Sequence, residues 1–399
     1  TALALAIDVA VLGYFKYANF LVDQANLARS MFGMDALPWT TVLLPVGISF
    51  FTFQRMSYTV DVSRRVRPAL GSPLDHLLYV ALFPQLIAGP IVRYQDIDRQ
   101  LRGERRVTLD DVGAGAIRFG HGLAKKVLVA DVVAPIADAV FEAPGTPSTA
   151  AVWIAALAYA VQIYADFSGY SDMAIGLGRM FGFTFPENFR RPYSAMSITD
   201  FWRRWHITLS TWFRDYLYIP LGGGRGRPAR TYANLAVVFL ATGIWHGAAW
   251  TFVLWGAYHG GLLMLERATG QRATGDDEAS VVWLRRAVVF ALVVIGWVLF
   301  RARSMRQAAS FITAMVVPSG AALPPALQAA LTPRAATTLV LSLVVLVLLP
   351  RGFVGGLSLT RSPRRPVTAW RVATAFVLLP YAAIVAASTT FSPFLYFRF

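Results

Sequence analysis

The sequence predicts an all-α, polytopic membrane protein, and three observations carry that prediction. Of 399 residues, 56% are hydrophobic and only 15% charged, with a mean hydropathy of +0.51; an average soluble domain carries about 25% charged residues. Apolar stretches of about twenty residues, long enough to cross the hydrocarbon core as helices, recur along the whole chain. A transmembrane β-barrel would instead show strictly alternating segments of about ten residues.

In chain order, the candidate spans are 1–23, 39–60, 75–93, 112–141, 149–180, 231–248, 249–267, 281–301, 335–350 and 367–389. The first begins without Met and already inside an apolar run, which suggests that a helix or more precedes it in a single domain covering 1–399. The third contains Phe83-Pro84-Gln85-Leu86-Ile87-Ala88-Gly89-Pro90. Broken backbone at membrane depth is tolerated only where protein or a water-filled cavity surrounds it, so this segment is either a re-entrant element or a Pro-kinked helix. Basic connectors separate the spans: Arg64-Arg65-Val66-Arg67, Arg93 to Arg106, Arg179 to Arg191 and Arg225 to Arg230. Gly222-Gly223-Gly224-Arg225 reads as a flexible head-group loop, since neither a preceding strand nor a Gly-Lys-Ser/Thr makes it a nucleotide loop. Residues 270–280 and 351–366 read as polar loops and 318–334 as a connector; no internal repeat supports an inverted-repeat transporter.

The net charge is +15, and Lys16, Lys125 and Lys126 are the sole lysines among 37 basic residues. On a soluble chain such an excess would suggest nucleic acid. On a membrane chain it marks positive-inside loops against anionic lipid, or an attraction for an anionic, phosphate-bearing substrate. With no cysteine, disulfides, thiolate metal sites and a covalent acyl-thioester on the chain are excluded; no metal site is expected.

Charge placed in lipid costs about 2.5–3.5 kcal/mol at a helix centre, so polar residues there call for a reason. Ser197-Ile198-Thr199-Asp200 fits a capping box, and Trp202, Trp205, Leu209 and Trp212 then recur at helical spacing. That pattern predicts one Trp-rich helix at the interface, with His206 at the edge of its stripe. His246, in Gly243-Ile244-Trp245-His246-Gly247, lies within Leu235–Tyr258, where apart from the terminal tyrosine no other titratable acid or base occurs. It is either functional or satisfied by an interhelical hydrogen bond. Asp166 and Asp172, in Gln162–Met173, read as an ion-pair network with arginines from 190–204, or as direct participants in catalysis. His76, His121 and His259 read as structural.

These segments together resemble the membrane-bound O-acyltransferase (MBOAT) family, nearest its alginate and exopolysaccharide O-acetylation branch. The motifs are Asp166-Phe-Ser-Gly-Tyr-Ser-Asp-Met-Ala-Ile-Gly176, Glu187-Asn188-Phe189-Arg190-Arg191-Pro192-Tyr193, Phe201-Trp-Arg-Arg-Trp-His206, Trp212-Phe-Arg-Asp-Tyr-Leu-Tyr-Ile219 and Trp245-His246-Gly247, with Pro393–Phe399 as an alginate-type ending. The resemblance implies a ring of about ten or more tilted helices, with re-entrant or interfacial helices, around a central funnel. It implies His246 and His206 as catalytic, and carries Asn188, Arg203, Trp205, Asp215 and Trp245 over as substrate-binding candidates. It further implies acetyl-CoA or another acyl thioester as co-substrate, with no bound cofactor. A periplasmic serine hydrolase-like acetyltransferase would be the partner, a polysaccharide the final acceptor, and the bacterial inner membrane the location.

An imidazole titrates near working pH and so suits general-base catalysis on an attacking hydroxyl, with His206 or Arg203 stabilising the oxyanion. Rival readings are a proton-coupled transporter or channel in which the histidines and aspartates form a proton relay, best supported by Asp166 and Asp172, a non-catalytic assembly subunit, and acyl transfer onto a lipid or secreted protein.

Overall fold

A computed structural model describes residues 1–270, 279–348, 369–388 and 394. Among them every regular element is helical. The elements are α1 (Ala2–Met31), α2 (Ile48–Ser63), α3 (Pro73–Ala81), α4 (Phe83–Leu86), α5 (Tyr94–Arg102), α6 (Leu109–Ala124), α7 (Asp131–Phe141), α8 (Thr149–Met180), α9 (Ile198–Trp202), α10 (Ile207–Phe213), α11 (Pro228–His246), α12 (Trp250–Ala268), α13 (Ala279–Arg301), α14 (Met305–Val316), α15 (Pro325–Ala330), α16 (Pro333–Leu343), α17 (Ala369–Ala373) and α18 (Leu379–Ser388). Four helical stretches, Ala2–Met31, Thr149–Met180, Ser280–Arg301 and Arg371–Ser388, are long and apolar enough to cross a membrane; the other predicted spans form helices that are shorter or less apolar.

The core is built on α8. Its apolar window is 72% buried inside the protein, whereas that of α1 is 6% buried. A helix hydrophobic all round must be enclosed, and here the enclosing neighbours are α6 and α7. Glycine permits the approach: a Cβ at Gly122 would lie 2.3 Å from the Gly169 carbonyl oxygen, and one at Gly115 2.6 Å from that of Gly176. A π turn over Lys125–Ala130 joins α6 to α7 and sets Lys125 and Lys126 against α8.

Several expectations are corrected. Residues 39–47 form no helix, so the second span begins at Ile48. The 75–93 segment is not one span: α3 ends at Ala81, α4 is a single turn opened by Pro84, and Gly89 takes φ +98°. This broken stretch is buried in protein, with Gln85, Ala88, Ile91 and Val92 fully enclosed, as its freed backbone groups require. The predicted interfacial helix through Trp202 and Trp212 is also broken. Ser197 caps α9 by accepting from the Asp200 amide at 3.0 Å, but α9 ends at Trp202, and α10 restarts after His206. Trp202, Trp205, Leu209 and Trp212 are all buried, so the stripe is core rather than interface. The 318–334 connector contains α15. The 351–366 loop lies outside the described residues, as do most of 270–280 and all of the Pro393–Phe399 ending except Phe394.

Asp166 and Asp172 do form a buried ionic network, but not with arginines from 190–204. Asp166 pairs with Lys126 at 2.9 Å; Asp172 accepts from Arg118 at 2.6 Å and from Lys125 at 2.6 Å. Arg118 continues to Glu187 at 2.7 Å. Each carboxylate has a cation, the arrangement that makes buried charge tolerable.

Candidate active site

His246 is the last residue of α11. Its helix packs on α12 at two facing glycines, Gly243 and Gly256, whose Cα atoms would each lie 3.2 Å from a Cβ added to the other. Trp245, Trp255 and Phe300 surround the imidazole with ring centroids at 5.0, 5.0 and 5.1 Å. His246 keeps 8% exposure, whereas His206 keeps none. Trp245 lies between the two histidines, its ring 6.1 Å from that of His206.

His206 is held in an unusual backbone conformation, φ +42° and ψ 55°, in the left-handed region. Such a residue costs of order 1–3 kcal/mol and persists only where its surroundings enforce it. Here they do. The Ile207 amide donates to the Asn188 carbonyl at 2.9 Å, and the Ser210 amide donates to the His206 carbonyl at 3.0 Å. The ring meets Phe167 edge-on at 4.7 Å, and neither ring nitrogen has a hydrogen-bond partner. A buried polar atom left so costs about 1–3 kcal/mol. His259 likewise has both ring nitrogens without a partner among the described residues, so the positive φ is what sets His206 apart.

The other candidates separate into three settings. Asn188 is fully buried and committed to protein: its amide nitrogen donates to the Gly89 carbonyl (3.2 Å) and to Ser171 Oγ (3.1 Å), while its amide oxygen accepts from the Thr208 hydroxyl (2.8 Å) and amide (3.3 Å). It ties the broken 83–90 stretch, α8 and α10 together beside His206. Trp205 is core, 4.7 Å from Trp297. Asp215 sits in a π turn, Arg214–Tyr218, bound by Arg93 at 2.5 Å and Arg214 at 2.6 Å.

Arg203 forms no ion pair among the described residues. With Arg214 it lines a cavity of about 440 Å³ between the 199–218 segment and α11–α12. Trp202, Phe213, Val238, Phe239 and Thr242 also line it, and Thr242 lies four residues before His246 on α11. The cavity wall includes two exposed arginines and the buried Thr242, while His206 and His246 lie outside its lining. Among the described residues no cluster of His, Asp and Glu could hold a metal. His259 is fully buried against Trp202 and Trp255.

Lys16 and Tyr17 of α1 escaped the sequence reading. Lys16 Nζ donates to the Trp245 carbonyl and, at 3.2 Å, to Ser49 Oγ; the Tyr17 hydroxyl donates to the Ile244 carbonyl. The available signal was a lone lysine in the apolar run 1–23.

A helical membrane protein whose interior holds two histidines behind a shared tryptophan is, as a class, a membrane enzyme candidate. The model of the membrane-bound O-acyltransferase family matches residues 14–299, and the chain belongs to that family: it is a multi-pass membrane O-acyltransferase. It is 45% identical over 427 residues to a "probable alginate O-acetylase AlgI" of Azotobacter vinelandii, covering 100% of this chain and 84% of that one. It is 38% identical over 348 residues to the peptidoglycan O-acetyltransferase of Helicobacter pylori, covering 80% and 65%. A more distant relative, the teichoic acid D-alanyltransferase of Bacillus subtilis, is 28% identical over 228 residues, covering 55% and 58%.

Proposed function

We propose that the protein takes an acetyl group from acetyl-CoA at the cytoplasmic face of the bacterial inner membrane. The acetyl passes to a hydroxyl of a periplasmic serine hydrolase-like acetyltransferase, which relays it to an exported polysaccharide. His246 acts as general base. It removes the hydroxyl proton as the oxygen attacks the thioester carbon; the C–S bond breaks, and the proton passes to the departing thiolate. His206 or Arg203 supplies hydrogen bonds to the oxyanion. No acyl-enzyme forms, in keeping with a chain that lacks cysteine.

The observation that carries this reading is a cavity lined by Arg203, Arg214 and, on α11, Thr242, four residues before His246; neither histidine lines it. Cationic groups at its outer end suit the phosphates of a thioester donor, and apolar walls suit the donor's arm. Orientation follows from charge. Arg64 donates to the Asp215 carbonyl at 3.3 Å, Arg93 binds Asp215, and Arg230 donates to the Leu221 carbonyl at 3.1 Å. One end of the bundle therefore collects arginines from the 64–67, 93, 203–214 and 225–230 connectors, which the positive-inside rule assigns to the cytoplasm. Relatives named for acetyl transfer to alginate and peptidoglycan support a polymer as final acceptor. The carboxylates on which a transporter reading rests are already neutralised by Lys126, Arg118 and Lys125.

The test is His246→Gln, with O-acetyl groups counted on the exported polymer at matched membrane levels of the protein. Acetylation falls to background; unchanged acetylation removes His246 from the chemistry. Arg203→Ala raises KM for acetyl-CoA in membrane vesicles, and an unchanged KM separates the cavity from the donor.

A further inference from the structure

We infer that Lys16 is a positioning residue for His246, a role that rests on the proposed general-base reading. The last carbonyls of an α-helix have no partner within the helix. Most helices close this gap with a backbone amide from beyond the end, commonly through a residue in the left-handed region. α11 does not: its capping residue Gly247 is extended, with φ −170° and ψ 159°, and no backbone amide returns to the final turn. Two side chains of α1 take over. Lys16 donates to the Trp245 carbonyl and Tyr17 to that of Ile244, the two positions preceding the catalytic imidazole.

The arrangement is held from several directions. Lys16 Nζ also donates to Ser49 Oγ on α2 and lies 5.5 Å from the centre of the Trp245 ring. An ammonium at a helix C-terminus is favoured by the partial negative charge there, and a tryptophan face adds a cation–π attraction. One and two turns further along α1, Phe20 meets Trp250 edge-on at 5.8 Å and Gln24 accepts from the Trp250 indole at 3.0 Å. Lys16, Tyr17, Phe20 and Gln24 thus form one stripe that grips both sides of the 246–249 turn. α1 is otherwise little buried; its other inward contacts include Asp8 with Arg55 of α2 and Asn19 with the 39–42 segment. Without the ammonium, the Trp245 carbonyl loses its Lys16 donor, and the final turn of α11 is held less firmly. His246, Trp245 and the His206 contact would shift together.

The test uses the full-length protein in membranes. Lys16→Met preserves length and helix preference but removes the donor. We expect kcat for acetyl transfer to fall at least tenfold, with KM for acetyl-CoA unchanged. Hydrogen exchange should rise in the peptide spanning Ile244–Trp250 and stay unchanged in α8. Lys16→Arg, which restores a cationic donor, should recover most of the rate. Tyr17→Phe, removing one hydroxyl and little volume, carries the same test if the Met variant does not accumulate, with a smaller fall in kcat. A wild-type kcat in Lys16→Met or, failing that, in Tyr17→Phe overturns the inference. So does a loss that simply tracks protein level. If His246→Gln is fully active, the general-base reading fails whatever Lys16 does; if His246→Gln is inactive while Lys16→Met is normal, the positioning role alone fails.

Discussion

Gly243→Ala is the sharpest probe of how the fold places the His246 imidazole, the proposed general base. An alanine Cβ at position 243 would sit 2.3 Å from the Phe252 carbonyl oxygen and 3.2 Å from the Gly256 Cα. Cβ atoms essentially never come closer than 3.0 Å to such neighbours, so at least 0.7 Å of extra space must open. Both obstacles are backbone atoms of α12, and neither can rotate away. The two helices must therefore separate, and His246 lies less than one turn beyond the wedge. Overpacking of this kind costs about 1–3 kcal/mol. A displacement of about 1 Å at a reacting group can reduce rate about 10²-fold. The expected result is protein that accumulates in the membrane with a lower thermal midpoint in detergent and acetyl transfer reduced by one to two orders of magnitude. Gly256→Ala meets the Phe239 carbonyl oxygen at the same 2.3 Å and should behave alike. The double variant should lose less than the two losses combined, because one separation relieves both clashes. Wild-type midpoint and activity in Gly243→Ala would show that α11 and α12 have slack, and the account of His246 placement would be wrong.

Other expectations follow from single features. Asn188→Ala removes the donor to Ser171 and the Gly89 carbonyl and the acceptor for the Thr208 hydroxyl and amide, leaving Thr208 its contact from the Ile91 amide, and should destabilise by about 3 kcal/mol, read as a lower unfolding midpoint. Asp172→Asn leaves Lys125 with the Ser168 hydroxyl alone, while Arg118 keeps Glu187, and should cost about 3 kcal/mol, seen as loss of protein from the membrane; a normal level would show the network to be hydrated. At His206, glycine relieves the positive φ and alanine does not, so His206→Gly should unfold at a higher temperature than His206→Ala while both impair transfer. Equal midpoints would mean that the strain is absent.

Composition made the fold class legible because lipid imposes one rule on every residue of a span: the Thr149–Met180 helix was read to the residue. The broken elements were harder. Nothing in the periodicity of Trp202, Trp205, Leu209 and Trp212 distinguishes a continuous helix from two short ones, since all four face a core made of distant segments. The break is set at His206 by Asn188, eighteen positions upstream. The partners of Asp166 and Asp172 were missed for a similar reason: basic residues near in sequence looked sufficient, but a π turn between α6 and α7 brings Lys125 and Lys126 closer. Both histidines could be singled out from their surroundings, whereas Lys16 could not, since its target is a main-chain oxygen that carries no residue code.

The Lys16–Trp245 contact spans 229 positions of sequence, while Ser49 is only 33 away. At about 5–20 residues per second, the usual pace of synthesis, the ammonium waits about 10–50 s for its principal acceptor. Until Trp245 is made, the Lys16 side chain of α1 has the Ser49 hydroxyl as the one partner of this pair within reach. Docking of α1 on the end of α11 is therefore a long-range closure, which can form only once both segments are in the membrane.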